Sequence, residues 1–194
     1  PKGTTNRAPS SCLGHESADG KGAPKVQEGN RVLLNVYDLV LLSKNPTVDA
    51  LGIGIYHTGV EVYGVEYAFG GREGCNADLV GIASMPPRSA RAKFREAIFL
   101  GHTQLSAVET RLLIKAIGPE WKAASYHLLQ RNCNHFSQAL AQRLLGDQPI
   151  WFPPWVNRLA DVGRPFVPDS LYHWALRHVQ PPPMPSDDDG DDED

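Results

Sequence analysis

Cys133 sits between two asparagines in the stretch QRNCNHFSQAL, residues 130 to 140. A thiol can be a nucleophile, a metal ligand or a small apolar group in a core, and its setting decides which. Asn132 is a good helix N-cap. Cys133 therefore falls in the first turn of the following helix, where free N–H groups and the macrodipole favour a thiolate. It also shares the inward stripe formed by Phe136, Leu140 and Leu144 at i, i+4 and i+8. A thiolate paired with an imidazole is the minimal activated cysteine nucleophile. The best placed imidazole is His57, in the strand-like run YHTGVEV. Alternation puts it with Gly59 and Glu61 on the more polar face, opposite Thr58, Val60 and Val62, and Gly59 leaves open space beside it. The residues alone keep a second reading open, with Cys133 as a core residue and His57 as a strand histidine bonded to a neighbour.

A metal site needs four ligands, or three and a water. Cys133-x-His135 is not a usual zinc spacing, and helical phase turns the two side chains apart by about 200°. The same phase removes His135 as the partner of Cys133. No metal and no other cofactor is expected. His102 and His127 are the alternatives to His57. His173 and His178 read as surface or packing residues on a late helix, and His15 lies in a polar head. Cys75, in GGREGCNADL, reads as a loop thiol among glycines, and Cys12 as incidental.

These residues must be carried by ordered elements. RVLLNVYDL, residues 31–39, is apolar on both faces, as a buried strand is. A connection at 43–52, with a helical turn after Pro46, leads to residues 53–71, two strands reversing at Tyr63-Gly64. Residues 77–85 and 94–103 read as two more strands around a Pro-Pro turn. The pattern then turns helical. Ser106 and Glu109 form a capping box, Leu112, Leu113 and Ala116 an apolar stripe, and Gly118-Pro119 the stop. SYHLL, residues 125–129, reads as a short strand or turn. The second helix runs from Asn132 to Leu145, with Gly146 closing it. PPWVNRLADVGRPF and PDSLYHWALRHV read as two short amphipathic helices. Strands first and helices afterwards imply an α+β fold, an antiparallel sheet packed against helices.

The 194 residues fit one domain with tails. Residues 1–30 are polar, Gly or Pro and read as a disordered N-terminal segment; 31–178 carry the large apolar side chains and read as the domain. Residues 179–194 read as a disordered Pro-rich and acidic tail. The net charge is −3, and seven acids crowd positions 187–194, so the rest of the chain is mildly basic. No basic block stands out, which argues against nucleic-acid binding. Three scattered cysteines suit a reducing compartment, the cytoplasm and also the nucleus. No apolar run approaches the ~18 residues of a membrane span. The chain begins at Pro1 rather than Met, which leaves room for an upstream segment.

The blocks LGIGIYHTGVEVYGVEYAFGG, FREAIFLGHTQLS, YHLLQRNCNHFSQALAQRLLG and PPWVNRLA together resemble the PPPDE family, in order, over residues 31 to about 162. These are permuted-papain-fold peptidases that include the deSUMOylating isopeptidases. The forms GIGIYHTGVEVYG and NCNHFS are similar to the second deSUMOylating-isopeptidase branch. The resemblance implies a circularly permuted papain-like cysteine peptidase fold with a His57–Cys133 dyad. It implies hydrolysis of the bond between a ubiquitin-like modifier, SUMO or ubiquitin, and a target lysine. Conjugates of such a modifier are then the partners, and a homodimer is compatible with the family. The Cys133 N–H is a natural oxyanion donor, with Gln130 or Asn132 as a side-chain contributor. The same dyad suits an acyl-protein thioesterase, and the fold without its chemistry suits a protein-binding module.

Overall fold

The computed structural model describes residues 30–39, 55–71 and 75–158. The segments expected to be disordered at 1–29 and 179–194, the connection at 43–52 and the helix at 168–179 lie outside the described residues. So do Cys12, His15, His173 and His178. Asn30 belongs to the ordered part, because its side-chain amide donates to the Thr103 carbonyl at 3.3 Å.

Five strands, β1 Arg31–Asp38, β2 Tyr56–Val62, β3 Val65–Phe69, β4 Ile82–Met85 and β5 Lys93–His102, form one sheet in the order β4-β3-β2-β1-β5. Every neighbouring pair is antiparallel. The β2–β3 reversal falls on Tyr63 and Gly64, with φ of 52° and 74°. Two consecutive left-handed residues match the twist of a tight hairpin. Tyr63 is held there by its hydroxyl, which donates to the Leu105 carbonyl at 2.6 Å. The strand expected over 77–85 begins only at Ile82. Ahead of it the Asn76 side chain accepts the Asp78 N–H at 2.9 Å, an Asx turn that competes with the extended ladder.

Helix α1 spans Ala107–Ile117 and helix α2 Cys133–Leu145. The capping box of α1 is present, Ser106 with Glu109. Its inward face differs from the expected one. Leu112 is 61% exposed, whereas Thr110 and Ile117 are buried and Leu113 and Ile114 pack against the core. The inward stripe therefore runs 110-113-114-117, a proper i, i+3, i+4, i+7 set that begins on a threonine and so escapes a search for apolar residues. This orientation predicts that Leu112→Ser changes stability by no more than about 0.5 kcal/mol. Ile117→Ala is expected to cost about 2 to 5 kcal/mol. Urea denaturation measures both, and the opposite ranking contradicts the orientation.

Helix α2 lies on the β2 and β3 side of the sheet. Phe136, Leu140 and Leu144 join Val60, Val62 and Phe69 in the main core. Phe69, Trp121 and Phe136 pack ring to ring, with centroids 5.0 to 6.0 Å apart. Each fully buried side chain of this kind contributes about 2 to 3 kcal/mol by leaving water. On the opposite face a polar group is buried beside the small apolar cluster of Ala68, Ala83 and Met85. The chain must cross this face to pass from β4 at one edge to β5 at the other. In doing so the Arg88 N–H reaches the Glu66 carboxyl at 2.9 Å, and the Arg88 guanidinium covers the Phe94 ring at 5.1 Å. Beneath this crossing the Tyr37 hydroxyl and the Asn35 amide both donate to Glu66. The open space expected beside Gly59 does not exist. A Cβ there would lie 2.7 Å from Glu66 Cγ, so the glycine makes room for this buried carboxyl side chain.

Candidate active site

Cys133 is the first residue of α2, behind an Asn132 cap whose side chain accepts the His135 N–H at 3.0 Å. The thiol is buried, with its residue 3% exposed. It points at the Asn134 side-chain oxygen, 3.6 Å away. On its other side it meets the Thr58 backbone amide, so it abuts β2 at the residue next to His57. Burial pushes the thiol above its ordinary range. Hydrogen bonds from the Thr58 amide, the Tyr126 hydroxyl and the amides of Asn134 and Cys133 itself pull it back down.

His57 stands on β2 opposite Tyr37 of β1, with the two rings 5.9 Å apart. Alternation along β2 sets His57 on the face opposite Thr58, Val60 and Val62. Thr58, not His57, directs its side chain at α2, with its hydroxyl 2.9 Å from both Asn134 and Ser137. His57 stands on the other face of the strand, with its ring beside Tyr37. Among the described residues its Nδ1 has no hydrogen-bond partner. Burial lowers its pKa from 6.5 to about 4. At neutral pH both groups are therefore uncharged at rest, and the proton passes from sulfur to imidazole only as the sulfur attacks.

The buried imidazole makes a prediction about acid stability. Between pH 6.5 and 4 the unfolded chain binds a proton at His57 that the folded chain does not, so stability falls as pH drops through this window. The loss amounts to about 2 to 3 kcal/mol by pH 4.5. In His57→Asn the decline between pH 7 and pH 4.5 should be shallower by that amount in urea titrations. An unchanged slope refutes the buried neutral imidazole.

Three asparagines fasten this corner. Asn134 donates to the carbonyls of Val156 at 2.9 Å and Tyr56 at 3.4 Å, tying the first turn of α2 to β2 and to the turn Pro154–Asn157. Sequence reasoning missed Asn134. The signal was its phase, since Asn134, Ser137 and Ala141 fall at i, i+3 and i+7 toward the sheet, and a polar residue on such a face needs a partner. Both amide hydrogens of Asn132 are engaged, by Leu128 at 2.7 Å and Asn157 at 3.2 Å. It therefore has no N–H left for an oxyanion. The Gln130 side chain is exposed, and its backbone N–H donates to His127. His135 completes the cap through Nδ1 and meets the Asn157 amide through Nε2 at 3.1 Å.

The other candidates take structural places. His127 Nδ1 accepts the N–H groups of Leu129 and Gln130, both at 3.2 Å, and closes the turn ahead of α2. His102 Nδ1 lies 2.9 Å from the Asn30 side chain. Cys75 is a half-buried free thiol. Among the described residues, no three His, Cys, Asp or Glu side chains converge as metal ligands do. None of the described helices is long and apolar enough to cross a membrane.

The chain matches the family of the "PPPDE putative peptidase domain" over residues 30–172. It is 42% identical over 136 residues to a desumoylating isopeptidase 1 homolog of Caenorhabditis elegans, covering 68% of this chain and 38% of that protein. It is 33% identical over 171 residues to a DeSI-like protein of Arabidopsis thaliana, covering 86% of this chain and 71% of the relative. A DeSI-like protein of Schizosaccharomyces pombe is 37% identical over 163 residues, with 83% and 78% covered.

Proposed function

The chain belongs to the PPPDE peptidase family, with its papain-like α+β fold, and on that premise we propose that it is a cysteine isopeptidase. It cleaves the bond between a SUMO-type modifier and a target lysine, in a reducing compartment such as the cytoplasm or nucleus. Cys133 is the nucleophile and His57 the general base and acid. The observation that carries this reading is the thiol at the start of α2, seated on the Thr58 amide beside His57. A thiol in the first turn of a helix has the free N–H groups and the macrodipole that favour a thiolate. The choice of modifier follows the relatives, of which the Caenorhabditis elegans protein is named a desumoylating isopeptidase 1 homolog.

His57 takes the Cys133 proton as the sulfur electron pair attacks the isopeptide carbonyl carbon. The oxyanion forms near the helix N-terminus, where the macrodipole favours negative charge. His57 then gives its proton to the departing lysine amine, which leaves a thioester between Cys133 and the modifier. Water, deprotonated by the same imidazole, hydrolyses the thioester and restores the thiol. His57 stays neutral between turnovers, so it is ready to accept a proton at neutral pH.

Turnover of a matched panel tests the reading: SUMO joined to lysine, ubiquitin joined to lysine, and an S-acylated peptide. Release of SUMO by wild type and not by Cys133→Ser supports it. Turnover confined to the acyl thioester, or to ubiquitin, replaces the substrate assignment. No turnover of any of the three overturns the enzymatic reading.

A further inference from the structure

We propose that Tyr126 is a third catalytic residue, whose hydroxyl donates to the Cys133 sulfur and holds the negative charge that develops there as His57 takes the proton. This rests on the reading of Cys133 as the nucleophile. The O–H proton stays on Tyr126 throughout; only the thiol proton moves, to His57, while the sulfur electron pair forms the new bond to carbon.

Tyr126 and Cys133 line the same small cavity, together with Tyr56 and Asn134. The Tyr126 residue is 7% exposed and its hydroxyl is sealed from solvent. Its ring packs on Phe69 with centroids 5.3 Å apart. Gly71 gives it space, since a Cβ there would lie 2.6 Å from Tyr126 Cβ. The loop behind it is closed. His127 and Arg131 exchange backbone hydrogen bonds at 3.0 and 2.9 Å, and the Asn132 amide grips the Leu128 carbonyl at 2.7 Å. The hydroxyl is thus delivered by a packed ring and a braced turn, the arrangement a preorganised donor requires.

Two arguments give the hydroxyl a purpose. A phenylalanine would fill the ring site without burying a polar group, and burying one without use carries a penalty. A dry site also opposes the thiolate, and burial does push the Cys133 thiol upward. Among the groups that counter this, the Thr58, Asn134 and Cys133 contributions come from the backbone, whereas that of Tyr126 comes from a side chain. Tyr126 is therefore the donor that a substitution can remove.

The test compares wild type with Tyr126→Phe in a Cys75→Ser background. Turnover of a SUMO conjugate and the pH profile of Cys133 alkylation by iodoacetamide are the two readouts. Turnover is expected to fall roughly ten- to hundredfold through kcat, with KM little changed. The alkylation midpoint should move to higher pH. Replacing Tyr126 by 3-fluorotyrosine, a stronger donor of nearly the same shape, should move the midpoint to lower pH without disturbing the packing. An unmoved midpoint in both proteins overturns the inference, as does a loss carried by KM alone. The parent reading is checked separately with His57→Ala. If that variant keeps wild-type turnover, the dyad itself fails; if it loses turnover while Tyr126→Phe does not, only the role of Tyr126 falls.

Discussion

Cys133→Ser is expected to lower hydrolysis of a lysine-linked SUMO conjugate by at least about 10⁴-fold while leaving the fold in place. Removing the nucleophile of a comparable hydrolase costs about 10⁶ in kcat. Serine is nearly the same size, and the Asn134 side-chain oxygen that faces the thiol at 3.6 Å can accept its hydroxyl. Little stability should therefore be lost, and the melting temperature should stay within a few degrees. The hydroxyl is far harder to ionise than a thiol. With His57 lowered to about 4 by burial, the imidazole is too weak a base to compensate. If Cys133 were only a core residue, the substitution would behave oppositely, with a lower melting temperature and near-normal turnover. Measuring both quantities on one preparation separates the two roles.

Glu66→Ala is expected to be the most destabilising substitution on the face of the sheet opposite α2, at about 3 to 5 kcal/mol. Glu66 is fully buried. Its two oxygens accept from the Tyr37 hydroxyl at 2.8 and 2.7 Å, from the Asn35 amide at 2.7 Å and from the Arg88 N–H at 2.9 Å. Alanine removes the acceptor for all three donors and opens a void beneath Gly59. Each stranded donor carries its own desolvation penalty. Burial, reinforced by Glu66, holds the Tyr37 hydroxyl well above the ordinary tyrosine range, so it remains a donor at every accessible pH. Glu66→Gln keeps the volume and one acceptor oxygen, and is expected to cost about 1 to 2 kcal/mol. Because the Tyr37 ring stands against His57, a loosened Glu66 network should also lower turnover at temperatures where the variant is folded. Urea denaturation of the three proteins checks the ranking. A cost below about 1 kcal/mol for Glu66→Ala would contradict the network as an element of stability.

Much of the scaffold is legible in local sequence chemistry. The Asn132 cap, the Ser106-Glu109 box and the Tyr63-Gly64 reversal are each set by two or three adjacent residues, and each is found where its residues stand. The residues that surround the thiol are not legible in this way. Tyr126 and Thr58 reach Cys133 through tertiary folding, and no local pattern assigns them a common address. The face of α1 escapes a sequence count for a related reason. Counting apolar residues favours Leu112, but the core selects the phase that buries Thr110 and Ile117. Gly59 shows the same limit. A glycine in a strand announces that something comes close, and only the fold reveals that it is Glu66. Glu61 and Glu66 look like surface charges of a hairpin, yet the β4-to-β5 crossing buries one of them.

The central claim is that Cys133 forms a covalent bond to the C-terminus of a ubiquitin-like modifier. SUMO carrying a C-terminal vinyl methyl ester, incubated with the protein at neutral pH and followed by peptide mass spectrometry, measures this directly. One adduct is expected on Cys133, none on Cys75 or Cys12, and loss of the adduct in His57→Ala. An adduct on another cysteine, or capture by Cys133 that is unaffected by His57→Ala, would contradict the claim.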